Sequence, residues 1–394
     1  MSKLTALTAA ALFAAGCADQ GIVDVSPQQT DQPSANLVGL PWNPGLTVMT
    51  WNVYYGTDPT PLLTAPQDQI PFVAADVWAL VKATNFPARA GALARQIAAN
   101  RPELVGLQEA ALYRVQSPSD IVLGGTEPAT QVVYDFIQLL VDSLAARGLQ
   151  YVIADADSTT DIEVPVFNPA NGTPIPFDDV RLTDRDAVLA RGDVHIANPQ
   201  HAKYLTHVPI SIGGFETGIY EGWSSVEATF GGRTFRFVST HLEAQPFMPV
   251  PVGQAQELID LLQNETRPTI LVGDFNSDVY GKDPSKATPS YGMVTAAGFR
   301  DSWLRPFWTP PGLTCCENDS LTNRFQTFNQ RIDFIFTRNM PKLSPAGTLV
   351  LARRVVGDQR GDRTSSGLWP SDHGGVVATF LVPPVGPHKT VVTE

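Results

Sequence analysis

Ile270-Leu271-Val272-Gly273-Asp274-Phe275-Asn276 states in seven residues the pattern that the rest of the chain repeats. The apolar run over 269–272 is too short for a helix and predicts a buried strand. Gly273 interrupts it, and an Asp and an Asn follow where the strand ends. Working outward, the same arrangement returns on both sides. Upstream, Phe235-Arg236-Phe237-Val238-Ser239-Thr240-His241 ends in His; downstream, Arg331-Ile332-Asp333-Phe334-Ile335-Phe336 carries an Asp among apolar neighbours. Farther out, Val48-Met49-Thr50-Trp51-Asn52 ends in Asn and Leu104-Val105-Gly106-Leu107-Gln108-Glu109 ends in Gln-Glu. Ser371-Asp372-His373 stands before Gly374-Gly375 and a last strand over 376–381.

The segments between these strands decide the fold class. Leu93, Ile97 and the alanines of 88–100 repeat at helical spacing, and Pro102 ends that helix before the next strand. Strand, helix, strand implies a layered α/β architecture. Residues 131–147 read as one helix, with Val133, Phe136, Ile137, Leu140, Val141 and Leu144 on one face and Gly148 closing it. Gly231-Gly232 joins two strand-like runs, 226–230 and 233–240, into a hairpin, so the sheets are not purely parallel. A short amphipathic helix is expected over 254–264, a Pro-rich excursion after Asn52, and an ordered loop over 155–186. There is no internal repeat.

Of the 394 residues 43% are hydrophobic and 17% charged, enough apolar material for a proper core. The formal net charge of −12 repels polyanions at long range. It weighs against a nucleic-acid-gripping module more than against a nuclease, because a bound metal attracts phosphate locally. At the amino end, Lys3, the apolar run 4–15 and the small residues before Cys17 read as an export signal, too short to span a bilayer. The segment resembles a lipobox with Ala14 where Leu is usual, so Cys17 is expected to carry lipid and anchor the protein at the cell envelope; plain cleavage and secretion is the other reading. The expected organisation is a signal over 1–16, a flexible tether over 17–44, the body over 45–383 and a tail over 384–394. Cys315 and Cys316 are either a vicinal disulfide or two small buried residues. His195, His201, His207 and His388 are read as satisfied surface or core residues.

Carboxylates and amides at buried strand ends are costly unless they pair, bind metal or hydrogen-bond one another. Taken as a set they suit phosphoryl chemistry. A hard cation takes oxygen ligands and leaves room for water and phosphate, two histidines serve as base and acid, and an Asp-x-Asn orients water. Each fragment alone is ordinary turn or cap chemistry.

Trp51-Asn52, Gln108-Glu109, Thr240-His241, Gly273-Asp274-Phe275-Asn276, Arg331-Ile332-Asp333 and Ser371-Asp372-His373 together resemble the ordered signature of the endonuclease/exonuclease/phosphatase superfamily. Its members include deoxyribonucleases, abasic-site endonucleases, inositol polyphosphate phosphatases and bacterial sphingomyelinases. The resemblance implies a four-layered α/β sandwich with two central mixed β-sheets flanked by helices. It also implies Mg²⁺, or Mn²⁺ or Ca²⁺, at Glu109 with support from Asn52 and Asp372. By the same resemblance His373 is general base or phosphate-charge stabiliser, and His241 is the acid for the leaving oxygen. Asp274 positions or deprotonates water, Asn276 holds a nonbridging oxygen, and Asp333 orients one of the two histidines, the sequence not saying which.

The implied function is hydrolysis of a phosphate ester, either nucleic acid or a phospholipid, with a membrane tether at Cys17 and no obligate protein partner. Thr240-His241-Leu242-Glu243-Ala244 is similar to the Thr-His-Leu-Gln-Ala of sphingomyelinases, with Glu243 in place of Gln. The apolar, Pro-rich 245–252 that follows is a candidate contact for a hydrophobic leaving group. A non-catalytic surface lipoprotein using the same fold as a binding module is the alternative.

Overall fold

Along the strand Gly45–Asn52, Leu46 and Val48 join one hydrophobic cluster while Met49 and Trp51 join another, the period of two that a strand buried on both faces requires. The computed structural model describes residues 45–383, apart from 213–214, 282–286, 305–309, 343–347 and 349. The expected signal, Cys17, the tether and the tail from 384 lie outside the described residues. None of the described helices is long and apolar enough to cross a membrane.

One six-stranded sheet runs in the order Val350–Val356, Gly375–Leu381, Gly45–Asn52, Leu104–Gln108, Ala187–Arg191, Tyr151–Ala156. The other runs Arg300–Asp301, Asp333–Arg338, Thr269–Asp274, Arg233–His241, Gly222–Phe230, His195–Lys203. Each sheet has one parallel pair, and each such pair is joined through a crossover helix: Phe86–Asn100 in the first, Val250–Leu262 in the second. The remaining pairings are antiparallel.

Three apolar clusters fill the three gaps of a four-layered sandwich. Phe86–Asn100 and Phe136–Ala145 pack Leu93, Ile97, Ile137 and Leu140 on Met49, Trp51, Val105 and Leu107. Between the sheets lie Val48, Leu104, Phe235, Phe237, Ile270, Val272, Ile335 and Phe380. Helices Val250–Leu262 and Ser290–Ala296 cover the far face of the second sheet through Leu258, Leu262 and Val294, against Leu271, Phe334 and Phe336. Gly106 lets the sheets approach: a Cβ there would come within 2.5 Å of a Val272 methyl. The fold is the α/β sandwich the resemblance implied.

Four local expectations are corrected. The helix expected over 131–147 is a strand, Gln131–Asp135, followed by the helix Phe136–Ala145. Asp135 caps the helix by accepting from the Gln138 amide at 3.2 Å, and the strand before it, with the β-branched Val132 and Val133, pairs with Leu112–Gln116. The Pro-rich excursion contains the helix Ile70–Ala83, which buries Ile70, Ala74, Trp78 and Val81. Its proline, Pro71, sits in the first turn, where no helical hydrogen bond is lost. The presumed loop 155–186 holds a hairpin, Asp161–Phe167 with Phe177–Thr183, in a four-stranded sheet with Leu112–Gln116 and Gln131–Asp135. The helix expected over 254–264 begins earlier, spanning Val250–Leu262, again with a proline in its first turn.

Candidate active site

Strand register assembles the site before any side chain is considered. In the second sheet His241 lies opposite Asp274, and Asp274 opposite Asp333, so three neighbouring strands present a His-Asp-Asp row. In the first sheet Asn52 lies opposite Gln108, and Glu109 is the next residue. Cross-links join the rows: the Asn52 amide donates to Glu109 at 2.8 Å and to Asp274 at 3.2 Å, and Gln108 donates to Ser239 at 2.9 Å. Glu109 and Asn276 hold left-handed backbone (φ 55° and 45°), a conformation that side-chain-bearing residues keep where the surroundings enforce it.

His373 is fixed from several directions. Its Nδ1 lies 3.0 Å from Asp333 and 3.6 Å from Asp274. Its carbonyl accepts from the Trp51 indole at 2.8 Å, and its amide donates to the Ser371 hydroxyl, which itself donates to the Asn52 carbonyl at 2.7 Å. Asp333 is therefore set against His373, the choice that spacing alone left open. Burial opposes protonation of His373, but Asp333, Asp372 and Asp274 outweigh it and hold the imidazolium above its ordinary range. Desolvation raises the Asp274 carboxyl, with Asp333 adding to it and both histidines working against it.

His241 stands on the other side of Asp274, its Nε2 3.7 Å away, and its Nδ1 lies 3.2 Å from Glu221. Asn276 donates to the Leu242 carbonyl at 2.9 Å, which directs its amide nitrogen toward Nε2 at 3.2 Å. In the neutral ring the proton therefore belongs on Nδ1, facing Glu221. Burial opposes charging His241, but Glu221, Asp274 and Glu109 raise its pKa nonetheless. Behind it lie more acids, Asp157, Asp184, Asp186 and Glu243, all buried. Desolvation pushes Glu221 up to about 8 and raises Asp184 and Glu243. Both carboxylate oxygens of Asp186, one of Asp157 and one of Asp184 have no hydrogen-bond partner.

The donor set fits a hard divalent cation. Glu109 and Asp372 are half-buried beside the cleft, where buried neighbours surround them. Burial, with Glu109 and Asp274 nearby, pushes the Asp372 carboxyl up to about 7 despite His373, the mark of a negative site short of positive charge. Asp333 keeps one buried oxygen unpartnered, and Asp274, Asp333 and His373 form a compact group of potential ligands. Asn52 has a further role. Its amide oxygen accepts from the Tyr54 amide at 3.0 Å and its nitrogen donates to both carboxylates, so it also holds Glu109 and Asp274 in position.

A cavity of about 350 Å³ opens beside these groups, lined at one end by Glu109, Asp184, Glu221, His241, Glu243 and Asn276. Its walls are apolar: Val77, Trp78 and Val81 from Ile70–Ala83, Ile162, Val164, Val166, Val180 and Leu182 from the hairpin, and Ala244, Pro246 and Phe247 after His241.

Sequence reading missed three residues. Arg89, fully buried, donates to the carbonyls of Val53, Tyr54, Thr84 and Pro370, tying the loop after Asn52 to the one before Ser371. On an amphipathic helix it reads as solvated. Glu221 and Asp184 flank His241 from loops that carry no strand signal of their own. Arg191, the basic residue that ends the strand Ala187–Arg191, pairs with Glu103 and Asp193. Cys315 and Cys316 are bonded to each other, and Cys315 bridges backbone to His373. His201 pairs with Asp155 and His207 stacks on Tyr220, while His388 lies outside the described residues.

The sequence matches the model of the Endonuclease/Exonuclease/phosphatase family over residues 49–373. Nothing among the curated proteins matches it. Among solved structures, a protein of that family from Leptotrichia buccalis is 15% identical with a TM-score of 0.48, covering 85% of this chain and 99% of its own. A truncated TDP2 from Caenorhabditis elegans is 15% identical with a TM-score of 0.46, covering 86% and 98%. A mannosyl-6-phosphatase from Bacteroides thetaiotaomicron is 18% identical with a TM-score of 0.45, covering 84% and 98%.

Proposed function

We propose, since the chain belongs to the Endonuclease/Exonuclease/phosphatase family of metal-dependent phosphoester hydrolases, that it is a phosphodiesterase working with Mg²⁺ or Mn²⁺ outside the cytoplasm. One observation supports this most: His241, Asp274 and Asp333 stand in a single register row beside the Asn52–Glu109 pair. A divalent ion at Glu109 and Asp372 would supply charge neutralisation and polarisation at the phosphoryl oxygens.

The chain's own groups account for the proton movements. Asp274, its carboxyl raised by burial and lying between two histidines, is placed to take a proton from an attacking water. His373, held charged by Asp333, faces the phosphate as a fixed positive group. His241 carries the proton for the leaving oxygen at Nε2, a position that the Asn276 amide must yield when substrate enters. Glu221 keeps that imidazolium charged.

Export rests on Lys3, the apolar run that follows and Cys17, and an intact-mass measurement reads lipidation directly. With purified protein, bis(p-nitrophenyl) phosphate is expected to be hydrolysed with Mg²⁺ or Mn²⁺ and not after chelation. Turnover that survives both chelation and His373→Ala discards the reading.

A further inference from the structure

The cavity beside the catalytic groups plays no part in the proton movements just described. It opens onto Glu109, His241 and Asn276 at one end, and its apolar walls come from three separate stretches of chain. We propose that this cavity is a subsite for a hydrocarbon chain, so that the ester hydrolysed is a single-phosphate amphiphile of the lipid class. The inference rests on the phosphodiesterase reading above.

Continuity is the first argument. A chain esterified to a phosphate at Glu109 and His241 has the cavity as its immediate neighbour, since both residues line it together with the apolar walls. Its volume of about 350 Å³ matches the size of sites that enclose small organic groups. Charge is the second. Among the described residues no Lys or Arg lines the cavity, whereas Glu109, Asp184, Glu221 and Glu243 do. A nucleic-acid strand or a polyphosphorylated ring would bring further phosphates against these carboxylates with no counter-cation, in a partly desolvated space where like charges repel strongly. A hydrocarbon chain brings no charge there and removes apolar wall from water. Convergence is the third. Leu62 and Val77 lie between the strands Gly45–Asn52 and Leu104–Gln108, Val164 and Leu182 on the hairpin, and Phe247 after His241; all five line the same space.

The test holds the chemistry constant and varies the chain: alkyl 4-nitrophenyl phosphates with methyl, butyl and octyl groups, assayed below their micelle thresholds with Mg²⁺. The octyl ester is expected to exceed the methyl ester in kcat/KM by about 100-fold, mostly through KM. Leu62→Asp and Leu182→Asp should each collapse that ratio toward one. Val77→Trp, which fills the space without adding charge, covers the case in which the charged variants do not fold. If the methyl ester is turned over and the ratio is flat, or a nucleoside ester outruns the octyl ester, the subsite is overturned while the phosphodiesterase reading stands. Should no ester be cleaved, calorimetric titration with dodecylphosphocholine decides the subsite without turnover. Binding weakened at least about tenfold in Leu182→Asp supports it, and equal binding overturns it.

Discussion

The two histidines lie almost equally far from Asp274, 3.6 Å for His373 and 3.7 Å for His241, yet they stand in opposite company. His373 has one close carboxylate, Asp333, delivered by the neighbouring strand in register, and backbone hydrogen bonds that hold it in place. His241 faces Glu221 and Asp184 from loops, with Asp157, Asp186 and Glu243 buried behind them and several oxygens unpartnered. One side is a hydrogen-bonded pair with Asp274 and Asp372 close by. The other holds more buried carboxyl groups than its single imidazolium can balance as charges, and burial raises their pKa values. Geometry at the reacting centre is thus shared between a rigid flank and an electrostatically loaded one.

The largest effect expected comes from the shared residue and the rigid flank. Asp274→Ala and His373→Ala should each lower kcat about 10³-fold or more on a simple diester, and a loss under tenfold in both would break the assignment. Next, Asp333→Asn should cost about 10²–10³-fold by releasing the His373 ring, and Asp333→Glu should not restore the rate if in-register geometry matters.

Glu221→Gln is expected to cost less, about 10–100-fold, but to leave a signature in pH. Glu221 is the foremost group raising the His241 pKa, so its loss lowers that pKa. The alkaline limb of kcat/KM should then move to lower pH; an unmoved limb would remove Glu221 from the acid's support.

The smallest effect is on stability. Burial, with Asp157 beside it, raises the Asp186 carboxyl well above its ordinary value. An acid whose folded pKa is raised leaves the fold fully stable below its unfolded value near 4 and costs stability as pH rises above it. Asp186→Asn should therefore stabilise by about 1–3 kcal/mol at pH 7.5 and by almost nothing at pH 4, read by denaturant unfolding. A gain that is the same at both pH values would point to packing rather than charge.

How much of this was legible beforehand differs along the chain. The strands that carry Asn52, Gln108, His241 and Asp274 could be read because each has an apolar stretch too short for a helix and a polar end that stands out from it. Helix Ile70–Ala83 could not, because Pro71 looks like a break although the first turn accepts it. The hairpin Asp161–Phe167 with Phe177–Thr183 was hidden because Pro165, Pro169, Pro174, Pro176 and the surrounding acids give the stretch a loop-like composition. The residues of the strand-end motifs were legible as a set, and the structure brings them together. Arg89, Glu221 and Asp184 were not legible, since each matters only through what it meets.

By itself the sequence determined which residues end buried strands and in what order, because burial imposes an apolar pattern that local composition displays. Only the tertiary structure decided that Asp333 faces His373 while Glu221 faces His241, and that apolar residues from three stretches enclose one cavity. Pairing of that kind depends on register and on distances between segments far apart in the chain, and no local pattern encodes either.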